Sequence, residues 1–187
     1  MTSNAVNMVV ANWTEKRYWQ RWPTAMLQDK QIVDSLPVTW KLAWDPDEVG
    51  EGEQWFADEL NTGGWLSVET DRAWEKQPVG EAWRAAHNGK DYDGLAWYRT
   101  EFTLPAELAG KRVWLAFGAV DEGATVWVNG ELAGAHPFVE PDDWTTPFLM
   151  DIKPMARFDA PNTVTVLVED RSGAGGVWRP VLVVAGR

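Results

Sequence analysis

Several short runs in this chain alternate apolar and polar residues with period two, separated by clusters of Gly, Pro, Asn or Asp. Strict alternation puts every second side chain on one face of a pleated strand, so such runs specify half-buried strands rather than helices. In "VTWKLAW" Trp40, Leu42 and Trp44 share a face, and in "WYRTEFTL" the shared face carries Tyr98, Thr100, Phe102 and Leu104. "RVWLAF" points Val113, Leu115 and Phe117 inward, and "TVTVLV" does the same with Val164, Val166 and Val168. "WLSVE" (65–69), "PFLMDI" (147–152) and "VWRPVLVV" (177–184) are weaker strand candidates. The sharpest turn signal is Asn129-Gly130 inside "ATVWVNGELAGAH" (124–136). Both central residues of a type I′ turn take positive φ, which Asn and Gly tolerate best, so this stretch reads as a tight hairpin. About nine strands and few short helices predict an all-β fold: an antiparallel sandwich, jelly roll or barrel.

A chain of 187 residues is long enough for one such domain to bury its own core. Residues 1–35 are the least regular part and are expected to form an N-terminal extension, with residues 36–187 as the sandwich. In the extension, "WTEKRYWQRW" spaces Trp13, Tyr18, Trp19 and Trp22 as a short helix would, stopping before Pro23. Such a helix is expected to pack on the sandwich.

The formal charge of -11 argues against nucleic acid and against an anionic membrane surface, and no Lys/Arg cluster offsets it. No window is apolar enough to span a bilayer. The N-terminus lacks a basic stretch followed by an apolar run, so no signal peptide is expected in this chain. The compartment stays open, a secreted or periplasmic parent protein included.

Chemistry is sparse. Cysteine is absent, which removes disulfides and thiol nucleophiles, and His87 and His136 are the only histidines, which disfavours zinc. "DPDEVGEGE" (45–53) begins like a calcium loop, but Val49 stands at one ligand position and Phe56 where a bidentate Glu should close it. A structural calcium held by other loop oxygens stays open, and no cofactor is required. "RSGAGG" (171–176) lacks the Lys-Ser/Thr of a phosphate loop. Carboxylate pairs abound, among them Asp142-Asp143, Glu51/Glu53, Asp91/Asp93 and Glu169-Asp170. A glycosidase needs two facing each other across a cleft, which a small sandwich seldom encloses.

The fourteen Trp residues outnumber the six Phe and three Tyr together. Trp either fills a wide sandwich core or offers a flat face to the C–H groups of a sugar ring. Trp144 is the leading candidate for the second role. "EPDDWTTPF" places it in a Pro-bounded loop, outside any alternation and beside Asp142 and Asp143, whose carboxylates accept hydrogen bonds from sugar hydroxyls. Trp178 with Arg179 comes next, and Arg171 and His136 are polar neighbours at loop ends. Trp55, Trp74 and Trp83, in the long connections 45–64 and 74–94, form a further candidate platform.

Five blocks in order, "GLAWYRTEFTLP", "VWLAFGAVDEGATVWVNGELAGAH", "FLMDI", "NTVTVLVED" and "GGVWRPVLVV", resemble the sugar-binding jelly-roll domain of glycoside hydrolase family 2 enzymes, including β-galactosidases and β-glucuronidases. The resemblance covers roughly residues 37–185. It implies a galactose-binding-like β-sandwich beside a separate catalytic barrel, with no catalytic Glu pair within these residues. Three functions follow as expectations: a non-catalytic module that binds an oligo- or polysaccharide, a structural domain bracing the catalytic domain of a glycoside hydrolase, and, least supported, an enzyme in its own right.

Overall fold

The alternating runs become strands, and their register assigns each face. In the computed structural model, which describes residues 24–187, the order is α1 (Thr24–Leu27), β1 (Lys30–Ser35), β2 (Thr39–Asp45), β3 (Leu66–Glu69), α2 (Pro78–Ala86), β4 (Gly94–Thr103), β5 (Val113–Phe117), β6 (Gly123–Val128), β7 (Glu131–His136), β8 (Phe148–Asp151), β9 (Pro161–Asp170) and β10 (Val181–Gly186). One sheet has the order β1-β10-β5-β8 and the other β3-β2-β4-β9-β6-β7. All strand pairs are antiparallel.

The two sheets face each other across one core. Trp40, Leu42, Tyr98, Phe102, Val126, Val164, Val166 and Val168 come from the larger sheet, and Val113, Leu115, Phe117, Val181 and Val183 from the smaller. Burying each such side chain is worth about 1.5–3 kcal/mol, so this interior supplies the main stabilising contribution.

The outer faces are covered as well, which alternation alone did not foretell. On the larger sheet Trp97, Trp127 and Leu167 lie under Trp55, Phe56 and Trp65 from the connection between β2 and β3. Phe56 stacks on Trp127 with centroids 5.0 Å apart. Asp45 holds the start of this flap by accepting from the N–H of Val49 (2.9 Å), the N–H of Gly50 (3.0 Å) and Trp97 Nε1 (2.9 Å). Asp58 holds its far part, accepting from Arg157 Nη2 (2.5 Å) and Thr163 Oγ1 (2.9 Å). On the smaller sheet Trp114, Ala116, Leu182 and Val184 are covered by Met26 and Leu27 of α1, with Ile32 and Leu149.

Three local readings change. β1 pairs with β10 from Lys30 to Ser35, so the sheet begins before residue 36. The helix expected near Trp13–Trp22 lies outside the described residues. The connection 74–94 is not a plain loop: it holds a 3-10 turn, Trp74–Lys76, and α2, which Pro78 opens at a position where its missing N–H costs nothing.

The Asn129-Gly130 hairpin is as expected, with φ of 53° and 81°. It also does more than turn the chain. Asn129 Nδ2 donates to Met155 O (2.8 Å) and Asn162 Oδ1 (2.9 Å), and its Oδ1 accepts from the N–H of Thr163 (2.9 Å). Arg99, expected to pair with an acid, instead donates to Thr165 Oγ1 (2.9 Å) and to the carbonyl of Asp58 (2.5 Å).

Candidate functional site

Four connections meet at one end of the sandwich: residues 70–77, the β5–β6 turn, the β7–β8 loop and the β9–β10 loop. The last two carry the residues singled out from sequence. Asp143–Thr145 form a single 3-10 turn that lifts Trp144 out of the β7–β8 loop, leaving it 44% exposed. Trp144 stacks on Trp178, centroids 5.6 Å apart and planes 26° from parallel, and Trp178 Nε1 donates to Trp144 O (3.1 Å). The Arg179 guanidinium lies 4.2 Å from the centre of the Trp178 ring and donates to Thr145 O (3.4 Å). The result is a tiered aromatic step: a half-buried indole backed by a cation, with a second indole reaching into water.

The carboxylates beside it differ in availability. Asp143 Oδ2 accepts from the N–H groups of Val139 and Glu140, both at 2.7 Å. These bonds, with the charge of His136 adding to them, hold its carboxyl below the ordinary carboxylate range. Asp143 therefore shapes the loop, whereas Asp142 is exposed at the 3-10 turn. Arg171 is exposed, pairs with Glu169 (3.0 Å), and lies 5.7 Å from the Phe138 ring centre, which ties the β9–β10 loop to the β7–β8 loop. His136 turns inward, stacked on Phe148 at 4.3 Å. Trp144, Trp178, Arg179 and Asp142 thus share one rim, Arg171 flanks it, and His136 and Asp143 support it.

The alternative platform does not form. Trp74 is fully buried, and Trp83 is half-buried in a cluster with Trp44 (5.5 Å) and Tyr92 (4.5 Å). Trp55 lies within the flap.

A second constellation was not legible from sequence. Glu75, Asp121 and Asp170 come from three of the converging connections and gather beneath Gly175-Gly176. The N–H of Gly175 donates to both carboxylate oxygens of Glu75 (3.1 Å each), the N–H of Asp121 to Gly176 O (2.9 Å), and the N–H of Ser172 to Asp170 Oδ1 (2.9 Å). Burial, reinforced by mutual repulsion, pushes Glu75 and Asp170 up to about 7 and Asp121 up to about 8. No group of His, Asp or Glu with metal-ligand geometry occurs among the described residues. No signal short of the fold itself brings residues this far apart together.

Residues 33–178 match the family described as "Glycosyl hydrolases family 2, sugar binding domain". The chain belongs to this family. It is 27% identical over 138 residues to a β-glucuronidase of Paenibacillus borealis, covering 74% of this chain and 21% of that protein. It is 24% identical over 187 residues to a β-galactosidase of Clostridium acetobutylicum, covering 84% of this chain and 20% of that protein. The crystal structure of Ruminococcus gnavus β-glucuronidase superposes with a TM-score of 0.71 at 25% identity, over 85% of this chain and 29% of that one. This sugar-binding domain therefore spans about a fifth of the length of these two curated relatives, and its fold is a β-sandwich shared with family 2 enzymes.

Proposed function

We propose that the domain is a non-catalytic carbohydrate-binding module that works beside the catalytic domain of a family 2 glycoside hydrolase. The observation that carries this reading is the exposed indole of Trp144, stacked on Trp178 at the loop rim. A flat apolar face held rigid by a second ring loses little entropy when a pyranose stacks on it. Asp142 and Arg171 at its flanks supply the acceptor and donors that select among hydroxyl patterns. The glycosidase names of the relatives point to the same ligand class.

Calorimetric titration against a panel of oligo- and polysaccharides tests the reading. Heat is expected with at least one glycan, and Trp144→Ala should reduce affinity at least tenfold while leaving the melting temperature near that of the parent. Silence across the panel overturns sugar binding.

A bracing role is the second reading. It draws on Leu132 (60% exposed), Val139 (72%) and Trp144, all on β7 and the loop that follows, as an apolar contact for a neighbouring domain. It predicts no heat with glycans and tight association with a separately produced catalytic domain.

A further inference from the structure

Beneath the rim, the β9–β10 loop sits on an acidic pocket that holds more unsatisfied polar atoms than any other part of the described structure. Asp121 Oδ2, Asp170 Oδ2, Trp74 Nε1 and Tyr98 Oη are all buried without a hydrogen-bond partner among the described residues. Trp74 and Tyr98 are themselves completely buried. They form the floor on which the loop rests. A Cβ at Gly175 would overlap the Trp74 indole and Asp170 Oδ2, and one at Gly176 would meet the Tyr98 hydroxyl. Backbone bonds from Trp74 N to Gly175 O (3.0 Å) and from Asp121 N to Gly176 O (2.9 Å) seat the loop on this floor.

The charges facing the pocket are almost all negative. Asp91 and Asp93 approach from the segment before β4, Glu122 from the β5–β6 turn, and Glu169 from the end of β9. The cations on these elements are engaged elsewhere or point outward: Arg84 pairs with Asp91, Arg171 pairs with Glu169, and Lys76 is exposed. A buried carboxylate with neither cation nor donor is costly. A proton converts its bare oxygen into a donor that a neighbouring carboxyl can accept.

We propose that Glu75, Asp121 and Asp170 form a proton-loaded latch that clamps the β9–β10 loop, and with it Trp178, against the end of the sandwich. With protons bound, the loop stays seated and the Trp144–Trp178 step is intact. When the protons leave, the charges are relieved by lifting the loop so that water reaches them. The latch acts on the loop whether or not the rim binds a sugar, so it stands independently of the proposed function. The raised affinities for protons place the transition in the neutral to mildly alkaline range. At pH 9, about one unit above the Asp121 value, the charged form is favoured roughly tenfold for that group alone.

Hydrogen exchange of the full chain, read on peptides covering 171–178 and corrected for intrinsic exchange, tests the latch at pH 6 and pH 9. Protection is expected to fall at least tenfold between them in the parent and to stay constant in D121N/D170N. Constant protection in the parent, or the same fall in the variant, overturns the proposal. Should the variant fail to fold, carboxyl carbon NMR of the parent decides: at least two carboxyls must titrate between pH 6 and 9, and their absence overturns it. Restoration of protection at pH 9 by millimolar calcium would assign the pocket to a cation and overturn proton occupancy.

Discussion

Asn129→Ala tests how much of the sandwich depends on one hairpin residue. The substitution removes three side-chain hydrogen bonds. Asn162 Oδ1 keeps a donor in the N–H of Arg157 (2.7 Å), but Met155 O and the N–H of Thr163 lose their partner at a residue that is only 8% exposed. Two unsatisfied backbone groups cost about 1–3 kcal/mol each. Holding alanine at the φ of 53° adds about 1 kcal/mol, because a Cβ without a compensating polar group disfavours the left-handed region. The sum is about 3–7 kcal/mol. At about 2–4 °C per kcal/mol for a domain of this size, the melting temperature should drop by at least about 6 °C in calorimetry. Asn129→Gly separates the two contributions, since it loses the same bonds without backbone strain and should melt a few degrees above the alanine variant. An alanine variant melting within about 2 °C of the parent would show that the network is not what holds β6, β9 and the 153–162 connection together.

Asp45→Ala strips the acceptor from three donors and should cost about 3–5 kcal/mol, seen as a lower urea midpoint together with faster proteolytic nicking in residues 46–64. Gly175→Ala must push a Cβ into Trp74, and should destabilise by about 3 kcal/mol or more in the same assay. Trp144→Ala, at an exposed site, should change stability by about 1 kcal/mol or less. The pH dependence has a definite sign. Glu75, Asp121 and Asp170 bind protons more tightly folded than unfolded, so their contribution is fully present at low pH and is lost as pH rises from the ordinary carboxylate range through about 7–8. At Asp58 burial works the opposite way from its bonds, but Arg157 and Thr163 prevail and lower its affinity for a proton, so its contribution is lost at acid pH. Thermal melts at intervals from pH 3 to 9 should therefore show a maximum at mildly acid pH that D121N/D170N shifts upward.

The inner faces were legible because one side of each strand is apolar and period two survives, as in β9 with Val164, Val166 and Val168. β1 escaped because "KQIVDS" shows weak alternation, with a register shift between Ile32 and Asp34 that disturbs the pattern further. α2 escaped because "PVGEAWRAA" sits among turn residues, and Gly80, a poor helix former, is required where the helix meets the backbone of Trp74 and Glu75. At the rim, Trp144 stood out from any strand pattern, and its stack on Trp178 placed two separately named candidates side by side. His136 misled because a residue at a strand end can turn either way, and Phe148 gave it a ring to lie on. The acidic pocket depends on contacts between residues such as Glu75 and Gly175, separated by most of the domain, and no local pattern encodes that.

The flap from 46 to 65 on one sheet and α1 on the other upholster both broad sides of the sandwich with the chain's own residues. An adjoining protein body therefore meets this domain at its rims or along the outermost strands β1, β8, β3 and β7, rather than by laying a flat surface against a bare sheet. Engineers attaching the domain to a new enzyme should accordingly orient the fusion by those narrow margins.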